Sequence, residues 1–263
     1  MRRISRLQDY LNDRQRIQFP DPKTASSWGP AAQGGNLSPG VLLSAYEQGF
    51  FPWYETPPIL WHSPDPRFVI AVPRFHIPRR FKRTLHKSLA SGAVQITFDS
   101  AFSDVIQSCS TVGDRDWATW ITEDVLRGYT EMHTLGYAHS IEVWEGERLI
   151  GGLYGLAVGG LFSGESMFSL EPGASKFALV ALVAVLHYLE LPLLDCQTYT
   201  DYLASFGAEN IPRDDFLRSL KDLRVRRGAI PQDWQGFDPI TTINQLMSSS
   251  VVKPAPPDKL AED

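Results

Sequence analysis

Apolar residues recur at helical spacing in five segments of this chain. Capping residues mark several of the ends: Ser38 and Thr122 stand at N-cap positions, while Gly49 and Gly136 follow the last helical turns. The segment from 175 to 187 is apolar nearly all round, which is typical of a buried helix. The pattern predicts helices over 39–48, 101–109, 123–135, 175–187 and 212–223.

Alternation of apolar and polar residues predicts six strands. They cover 67–73, 93–98, 137–144, 149–158, 161–169 and 191–197. Gly146 and the pair Gly159-Gly160 predict hairpin turns between the three consecutive strands. The order of elements predicts an α+β fold around a mostly antiparallel sheet. Strand residues flank the glycine-rich run 151–166 on both sides, which favours close backbone approach over a phosphate-binding loop, since that loop precedes a helix.

Proline and glycine content predicts the domain organisation. Five prolines between Pro52 and Pro66 argue against regular structure there and indicate a boundary. We therefore predict a small N-terminal domain over 1–66 and a second domain over 67–240. The remainder, 241–263, has too little periodicity to predict order.

Composition narrows the class of protein. Only two cysteines, Cys109 and Cys196, occur among 263 residues, so a disulfide framework and a four-cysteine zinc site are excluded and two free thiols are expected. No His or Cys spacing indicates a metal site. The longest apolar stretch, 177–194, is interrupted by polar residues and proline, so we expect no membrane span. Without a leader-like segment, we expect the cytoplasm.

Charge is distributed unevenly along the chain. The formal net charge of -5 argues against a nucleic-acid ligand, yet residues 66–98 contain no acidic residue. Seven cations lie in that stretch: Arg67, Arg74, Arg79, Arg80, Lys82, Arg83 and Lys87. A second basic cluster comprises Arg224, Arg226 and Arg227. These charges either form an ordinary solvated surface or attract the phosphates of an anionic partner such as RNA.

Several polar and aromatic residues are candidates for chemistry. Asp195 and Gln197 are two apart in a predicted strand, so both should point to one face and Cys196 to the other. A carboxylate and an amide in an apolar strand are either satisfied by hydrogen bonds or used chemically, as is Glu165 between two strand segments. Trp53, Trp61 and Trp120 lie outside the periodic segments, where they could stack bases or pack loops onto the core.

Eight collinear segments resemble the bacterial leucyl/phenylalanyl-tRNA-protein transferases. They are GNLSPGVLLSAYEQGFFPW (35–53), ILWHSPDPR (59–67), TWIT (119–122), HSIEVW (139–144), GGLYGLAVGGLFSGESMFS (151–169), ASKFAL (174–179), LDCQ (194–197) and ASFGAENIPR (204–213). Three positions depart from the family pattern: Leu153 replaces a usual Met, Tyr202 a common His, and His62 a Trp.

The resemblance implies a small N-terminal domain followed by a domain similar to the N-acetyltransferase superfamily (GNAT-like). It implies an enzyme that moves Leu or Phe, and less readily Met, from aminoacyl-tRNA to the N-terminal Lys or Arg of an acceptor protein, marking the acceptor for N-end rule degradation. No cofactor is expected, because the tRNA ester is itself the activated donor. We expect a monomer that does not associate with membranes.

The resemblance also assigns site residues. Trp53 and Trp120 would hold the terminal adenosine, and Leu153, Phe162, Leu179 and Leu182 would line the pocket for the amino-acid side chain. Asp195, Gln197 and Glu165 would form the polar centre. The aminoacyl-tRNA would be contacted by six basic residues: Arg74, Arg79, Arg80, Lys82, Arg83 and Lys87.

The expected reaction is aminolysis of the tRNA ester by the acceptor's α-amine. In this hypothesis Gln197, oriented by Asp195, assists proton removal or stabilises developing charge. Two other functions remain open at this point. A CoA-dependent N-acetyltransferase would need a pyrophosphate-binding loop at a helix N-terminus, and a noncatalytic RNA-binding module would leave Asp195 and Gln197 without a task.

Overall fold

A computed structural model describes residues 2–3, 9–111, 120–226 and 228–249. Its helices are α1 Pro39–Glu47, α2 Arg79–Ala90, α3 Phe102–Thr111, α4 Glu123–Thr134, α5 Ala174–Tyr188, α6 Asp201–Ala204, α7 Arg213–Leu223 and α8 Pro239–Ser248. Its strands are β1 Arg2–Arg3, β2 Pro30–Gln33, β3 Phe51–Pro52, β4 Leu60–His62, β5 Arg67–Ala71, β6 Gln95–Phe98, β7 Ala138–Glu145, β8 Arg148–Val158, β9 Leu161–Ser169, β10 Leu193–Gln197 and β11 Glu209–Ile211. Within these ranges, no helix has the length and apolar character needed to cross a membrane.

The central element is a seven-stranded sheet with the order β11-β5-β10-β9-β8-β7-β6. All of its neighbouring strands run antiparallel except β9 and β10, which run parallel. The predicted α+β class with a mostly antiparallel sheet is therefore confirmed. The glycine-rich run forms β8 and β9, joined at a hairpin where Gly159 has a positive φ of 62°.

Helices cover both faces of this sheet. On one face, the apolar helix α5 packs against the central strands together with buried residues of α2 and α8. On the other face, α3 and α4 pack with α1 and the buried residues of the N-terminal segment. Both free thiols expected from the composition are present, Cys109 in the second of these cores and Cys196 at the end of β10.

The proline-rich segment contains regular structure, contrary to the sequence prediction. Strands β3 and β4 pair antiparallel within a four-stranded sheet of order β1-β2-β4-β3. Pro52 is tolerated because β3 lies at the sheet edge, where a missing backbone donor costs no ladder hydrogen bond. Trp61 of β4 is fully buried and donates its Nε1 hydrogen to the Gly34 carbonyl at 2.8 Å, so it is not available for stacking a base.

Helices α2 and α8 were not predicted. Helix α2 carries the basic stretch, and on its inner face Phe81 and Leu85 are buried while Leu89 is partly buried against the same core. Helix α8 contradicts the prediction that the chain is unordered beyond residue 241. Its N-cap Asp238 accepts backbone hydrogen bonds, and Ile243 and Leu246 are buried against α5, a tertiary contact that periodicity does not reveal. Residues 250–263 lie outside the described part.

The five predicted helices and six predicted strands lie within a few residues of their predicted positions, although one cap differs in its chemistry. Thr122 accepts a hydrogen bond from the Val125 backbone at the start of α4, as expected of an N-cap. Ser38 precedes α1, but its hydroxyl accepts from the Leu11 backbone at 3.0 Å instead of capping the helix. The helix start is stabilised there by Pro39, whose φ is preset for the first helical turn.

Candidate active site

A cavity of about 540 Å³ lies where the parallel strands β9 and β10 meet the start of α5 and the chain that follows β3. Its wall combines apolar side chains from the sheet and α5 with a polar floor. Most of the residues predicted from the sequence border it, namely Trp53, Trp120, Leu153, Glu165, Leu179, Leu182, Asp195 and Gln197. Chain segments far apart in sequence therefore supply one site.

Asp195 is held by a buried ion pair with Arg67. The guanidinium Nε and Nη2 atoms lie 2.8 and 2.7 Å from the two carboxylate oxygens, a bidentate arrangement between β5 and β10. Ser163 and the Gln197 backbone amide donate to the same carboxylate, each at 3.0 Å. Arg67 belongs to the basic stretch for which the sequence predicts a solvated surface or a phosphate contact, and neither applies to it, because its side chain is 1% exposed.

Aromatic rings complete the enclosure of Arg67. Its guanidinium carbon lies 4.8 Å from the Phe51 ring centre and 4.4 Å from that of Phe216. Cation–π contacts of this kind strengthen when the cation is removed from water. The ion pair is therefore a rigid support, with its positive member unavailable to phosphate.

Gln197 reaches the cavity because β10 contains a bulge. The pairing with β5 shifts between Asp195 and Gln197, which leaves Cys196 as an extra residue, and Gln197 has a left-handed φ of 64°. All three consecutive residues border the cavity, and Cys196 also packs against the core on the α5 face of the sheet. The predicted contact differs: Asp195 accepts from the backbone of Gln197, not from its side-chain amide.

The Gln197 side chain is oriented by Glu165. Its Nε2 donates to Glu165 Oε1 at 3.0 Å, and within the described ranges its Oε1 atom has no hydrogen-bond partner. Two tyrosines also donate to this carboxyl: Tyr46 to Oε1 at 2.6 Å and Tyr129 to Oε2 at 3.2 Å. Because one amide hydrogen is directed to Glu165, the amide oxygen and the second amide hydrogen are left for a ligand.

Burial sets the protonation of this centre. Glu165 is partly exposed where it borders the cavity, but the packing around its carboxyl removes enough water to raise its pKa to about 7. The nearby Asp195 charge raises it further, while hydrogen bonds from Tyr46, Gln197 and Tyr129 oppose the shift. Burial also raises the pKa of both tyrosines well above the ordinary value, so they act as neutral hydroxyls.

The apolar wall agrees with the prediction in three of four residues. Leu153, Leu179 and Leu182 border the cavity, the last two on one face of α5 with Ser175. Phe162 does not border it: the side chain is fully buried, with its ring centre 5.5 Å from that of Trp234. The sequence did not reveal this contact, because Trp234 comes from a distant segment. Met167, Leu194 and Leu203 contribute instead.

Hydroxyl groups also form part of the wall. Tyr202, at the position where the family commonly has His, lies with its hydroxyl 3.1 Å from that of Ser175. Burial raises the pKa of Tyr202 to about 12, so this hydroxyl stays protonated at neutral pH. The departure from the family pattern therefore introduces a neutral hydroxyl pair.

Two tryptophans stand at the cavity's edge. Trp53 follows β3 and is 49% exposed, with its ring 5.6 Å from the His62 ring. Trp120 precedes α4 and is partly exposed. Both indoles present surface that a planar ligand could cover. Thr119, which opens the TWIT motif, lies outside the described residues, as does Arg227 of the second basic cluster.

The predicted basic residues separate into two groups. Arg74 precedes α2 and forms an ion pair with Glu209. The others lie on exposed positions of α2, and in the described part of the chain none of them forms an ion pair: Arg79, Arg80, Lys82, Arg83 and Lys87. This uncompensated charge makes α2 the strongest candidate for contact with phosphates.

Sequence reasoning missed four members of the polar centre. Tyr46 and Tyr129 were interpreted as apolar positions of their helices, and Arg67 as a surface charge. Ser163 was not singled out. Each occupies a position that the local pattern assigns to the core or the surface, and only the contact across the fold shows that it supports a carboxylate.

Comparison with known proteins identifies related sequences. A family model for "Leucyl/phenylalanyl-tRNA protein transferase" matches residues 69–221, and the model for its N-terminal domain matches 35–65. Relatives named leucyl/phenylalanyl-tRNA–protein transferase include one from Myxococcus xanthus, 46% identical over 80% of this chain and 89% of the relative. Those from Anaeromyxobacter sp. and Legionella pneumophila are 47% and 45% identical, each over 78% of this chain and over 86% and 90% of the relatives.

Proposed function

The chain belongs to the leucyl/phenylalanyl-tRNA protein transferase family, a class of aminoacyltransferases, and from that premise we propose its substrates. It moves Leu or Phe, and less readily Met, from aminoacyl-tRNA to the N-terminal Lys or Arg of an acceptor protein. The product enters N-end rule degradation in the cytoplasm. The enzyme works as a monomer without a cofactor, because the tRNA ester already carries the activated acyl group.

One observation carries this proposal: a single cavity holds an apolar wall, two tryptophans at the edge and a polar floor. The wall of Leu153, Leu179 and Leu182 suits an apolar side chain and excludes a charged one. Hydrocarbon contacts discriminate a methylene group by only about 1–3 kcal/mol, which supports acceptance of several apolar amino acids.

Trp53 and Trp120 hold the terminal adenosine of the tRNA. Both rings have free surface at the same cavity edge, and stacking of a base on an aromatic ring contributes about 1–3 kcal/mol. The exposed cations of α2 contact the tRNA phosphates and position the acceptor end without reading its sequence. Arg74, though paired with Glu209, belongs to the same contact surface.

The chemical step is aminolysis at the polar floor. Gln197 presents its Oε1 atom to the cavity because Glu165 takes an amide hydrogen. An amide oxygen accepts hydrogen bonds, so Gln197 orients the attacking amine through this atom. Asp195, fixed by Arg67, holds the Gln197 backbone in place. With an α-amine pKa of about 7.7–8.0, part of the nucleophile is neutral at pH 7.

The architecture is divided into a small N-terminal domain over 1–66 and a GNAT-like catalytic domain over 67–240. Separate family models over 35–65 and 69–221 support that division. The large, mostly antiparallel sheet with helices on both faces supports the GNAT-like assignment. The cavity lies between the two segments, since Trp53 comes from the first and the floor from the second.

A transfer assay tests the proposed function. The full chain is incubated with radiolabelled Leu-tRNA and two acceptor peptides that differ only in an N-terminal Arg or Ser. Label is expected on the Arg peptide alone, with no requirement for CoA and with loss of transfer after RNase treatment. Transfer of acetyl from acetyl-CoA, or RNA binding without transfer under any condition, would contradict the proposal.

Single-turnover transfer by Asp195→Ala and Gln197→Ala variants tests the assigned floor. Both rates are expected to fall at least about tenfold, since positioning supplies much of the acceleration. A Glu147→Ala variant serves as the control, because Glu147 lies exposed in the turn between β7 and β8. Near wild-type rates in both floor variants would remove these residues from the site.

Salt dependence tests the role of α2. An Arg79→Gln/Arg83→Gln variant is expected to reduce the slope of log affinity for tRNA against log salt by about 1–2, because two phosphate contacts are lost. Arg148→Gln is the matched control, since Arg148 is exposed but already paired with Glu145 and Glu171. An unchanged slope in the α2 variant would show that tRNA lies elsewhere.

A further inference from the structure

Glu165, Tyr46 and Tyr129 form a closed ring of oxygen groups beneath the cavity. The Tyr46 hydroxyl lies 2.6 Å from the Tyr129 hydroxyl and 2.6 Å from Glu165 Oε1, and the Tyr129 hydroxyl lies 3.2 Å from Oε2. Tyr46 is 4% exposed and Tyr129 is fully buried, so bulk water does not supply further partners to the hydroxyls. Each edge of the ring is within hydrogen-bond distance.

Counting hydrogens shows that this ring has room for one more proton. Two tyrosine hydroxyls bring two hydrogens, whereas three oxygen–oxygen contacts need three. With Glu165 ionised, one contact lacks a hydrogen. When both tyrosines donate to the carboxylate, the unfilled contact is the 2.6 Å approach of the two hydroxyl oxygens. Protonation of Glu165 fills all three contacts, so the geometry can hold the carboxyl in either state.

The charged and titratable groups around Glu165 favour gain and loss of a proton by its carboxyl near neutral pH. The groups that face it from the neighbouring elements are Tyr46 of α1, Tyr129 of α4, Tyr154 of β8, and Asp195 and Cys196 of β10, with Arg67 of β5 behind Asp195. Burial and the Asp195 charge raise the pKa of Glu165 to about 7. That value is close to the pKa of an α-amine, about 7.7–8.0, as efficient proton transfer requires.

The carboxyl is also adjacent to the side chain that receives the amine. Gln197 Nε2 is 3.0 Å from Glu165 Oε1, and both side chains border the cavity. An amine bound to the Gln197 amide oxygen therefore lies within reach of Glu165, directly or through one water. An amide oxygen is too weak a base to keep a proton, whereas a carboxylate keeps it readily.

We propose that Glu165 is the proton store of the transfer reaction, with Tyr46 and Tyr129 as its positioning residues. This inference rests on the proposed function. The amine nitrogen forms a bond to the ester carbonyl carbon, and the positively charged nitrogen then loses a proton to the Glu165 carboxylate. As the bond to the ribose oxygen breaks, that oxygen keeps the electron pair and takes the proton from Glu165. The carboxylate is regenerated.

The tyrosines provide a readout that a merely structural role would not move. Both hydroxyls donate to Glu165 and lower its pKa by doing so. Removal of either hydroxyl therefore raises that pKa, and the rise of rate with pH moves to higher pH. A purely structural defect would lower the rate by the same factor at every pH.

The experiment measures single-turnover transfer from Leu-tRNA between pH 5.5 and 9 with the full chain. Glu165→Gln is expected to reduce the rate by about 10²–10⁴ at pH 8. It should also lose the rise of rate near pH 7, called here the limb of the pH–rate profile, so that only the titration of the acceptor amine remains. Tyr46→Phe and Tyr129→Phe are expected to move that limb upward by about half to one pH unit. Tyr54→Phe is the matched control, because Tyr54 is a buried tyrosine whose hydroxyl faces Thr122, and its profile should stay wild type.

Binding of an amide-linked leucyl-adenosine analogue checks that the variants keep a folded site. If Glu165→Gln binds the analogue normally but keeps the wild-type rate or the limb near pH 7, the proton store is overturned while the proposed function stands. If the wild-type chain transfers no leucine, the proposed function itself fails. A uniform rate loss in both tyrosine variants, with no displacement of the limb, would remove them as positioning residues.

Discussion

Asp195 and Glu165 are two carboxyl groups on the floor of one cavity, yet their surroundings differ in kind. Asp195 is fully buried in a bidentate ion pair with Arg67 and accepts two further hydrogen bonds. Glu165 meets only neutral donors: two tyrosines and the Gln197 amide. A full positive charge fixes one carboxylate in place, whereas neutral hydroxyls leave the other able to gain and lose a proton.

The difference shows that residue type alone does not assign a task. Both carboxyls lie next to each other on the parallel strands β9 and β10, and both contact Gln197. Asp195 holds its backbone and Glu165 holds its side chain. Asp195 is therefore expected to contribute more to the stability of the fold. Glu165 is expected to dominate the dependence of stability and rate on pH.

Breaking the ion pair between Arg67 and Asp195 should have the largest effect on the free energy of unfolding. Arg67→Met leaves the buried Asp195 charge unpaired, which typically costs about 3–5 kcal/mol. Urea unfolding should show this loss. The double variant Arg67→Met/Asp195→Leu should recover most of it, because no unpaired charge remains. A loss below about 1 kcal/mol in Arg67→Met would mean that the ion pair does not anchor the floor.

Substitution of Glu165 should change the stability of the fold by an amount that depends on pH. Folding raises the pKa of Glu165 from 4.5 to about 7, so the stability tied to its protonated form is complete below pH 4.5 and is lost as pH rises through 7. Glu165→Gln has no such loss. It should match the wild type near pH 4 and exceed it by about 2 kcal/mol at pH 8, after allowance for partial access from the cavity.

Urea unfolding of the two proteins at several pH values measures that difference. Glu147→Gln controls for the removal of an exposed carboxylate and should show no comparable growth of the difference with pH. A constant difference between wild type and Glu165→Gln across this range would contradict the raised pKa of Glu165.

The smallest effect should follow from trimming the support of Asp195. Ser163→Ala removes one donor at 3.0 Å while Arg67 and the Gln197 backbone remain, so a loss of about 1 kcal/mol in unfolding free energy is expected. Ser110→Ala is the control: Ser110 is also buried, but it bonds the Gln107 carbonyl within α3. Single-turnover rates should change little in either variant, and a large rate loss in Ser163→Ala would show that the Asp195 anchor is finely adjusted for chemistry.

Much of the fold could be predicted from local pattern. The three strands β7 to β9 and the apolar helix α5 carry long periodic signals bounded by turn or capping residues, and these predictions are confirmed. Helix α2 was missed because its apolar stripe of Phe81, Leu85 and Leu89 stands among many charged residues. Helix α8 was missed because its order depends on packing against α5. The edge strand β3 tolerates Pro52, which a rule based on composition does not allow for.

The candidate site was predicted only in part. Asp195, Gln197 and Glu165 stood out because polar residues in apolar strands need an explanation. Tyr46 and Tyr129 did not, because a tyrosine on the apolar face of a helix has the same pattern whether or not its hydroxyl meets a carboxylate. Phe162 was assigned to the pocket, but its ring packs against Trp234 instead of bordering the cavity. Trp234 lies 72 residues further along the chain.

The sequence by itself determined the class of fold, the order of its main elements and three of the polar residues that border the cavity. These depend on periodicity and on residue chemistry, which are local properties. Only the tertiary structure decided which carboxyl meets Arg67 and which meets two tyrosines. Such contacts join strands and helices that are far apart in the chain, and they set the local dielectric and the nearest charge on which protonation depends.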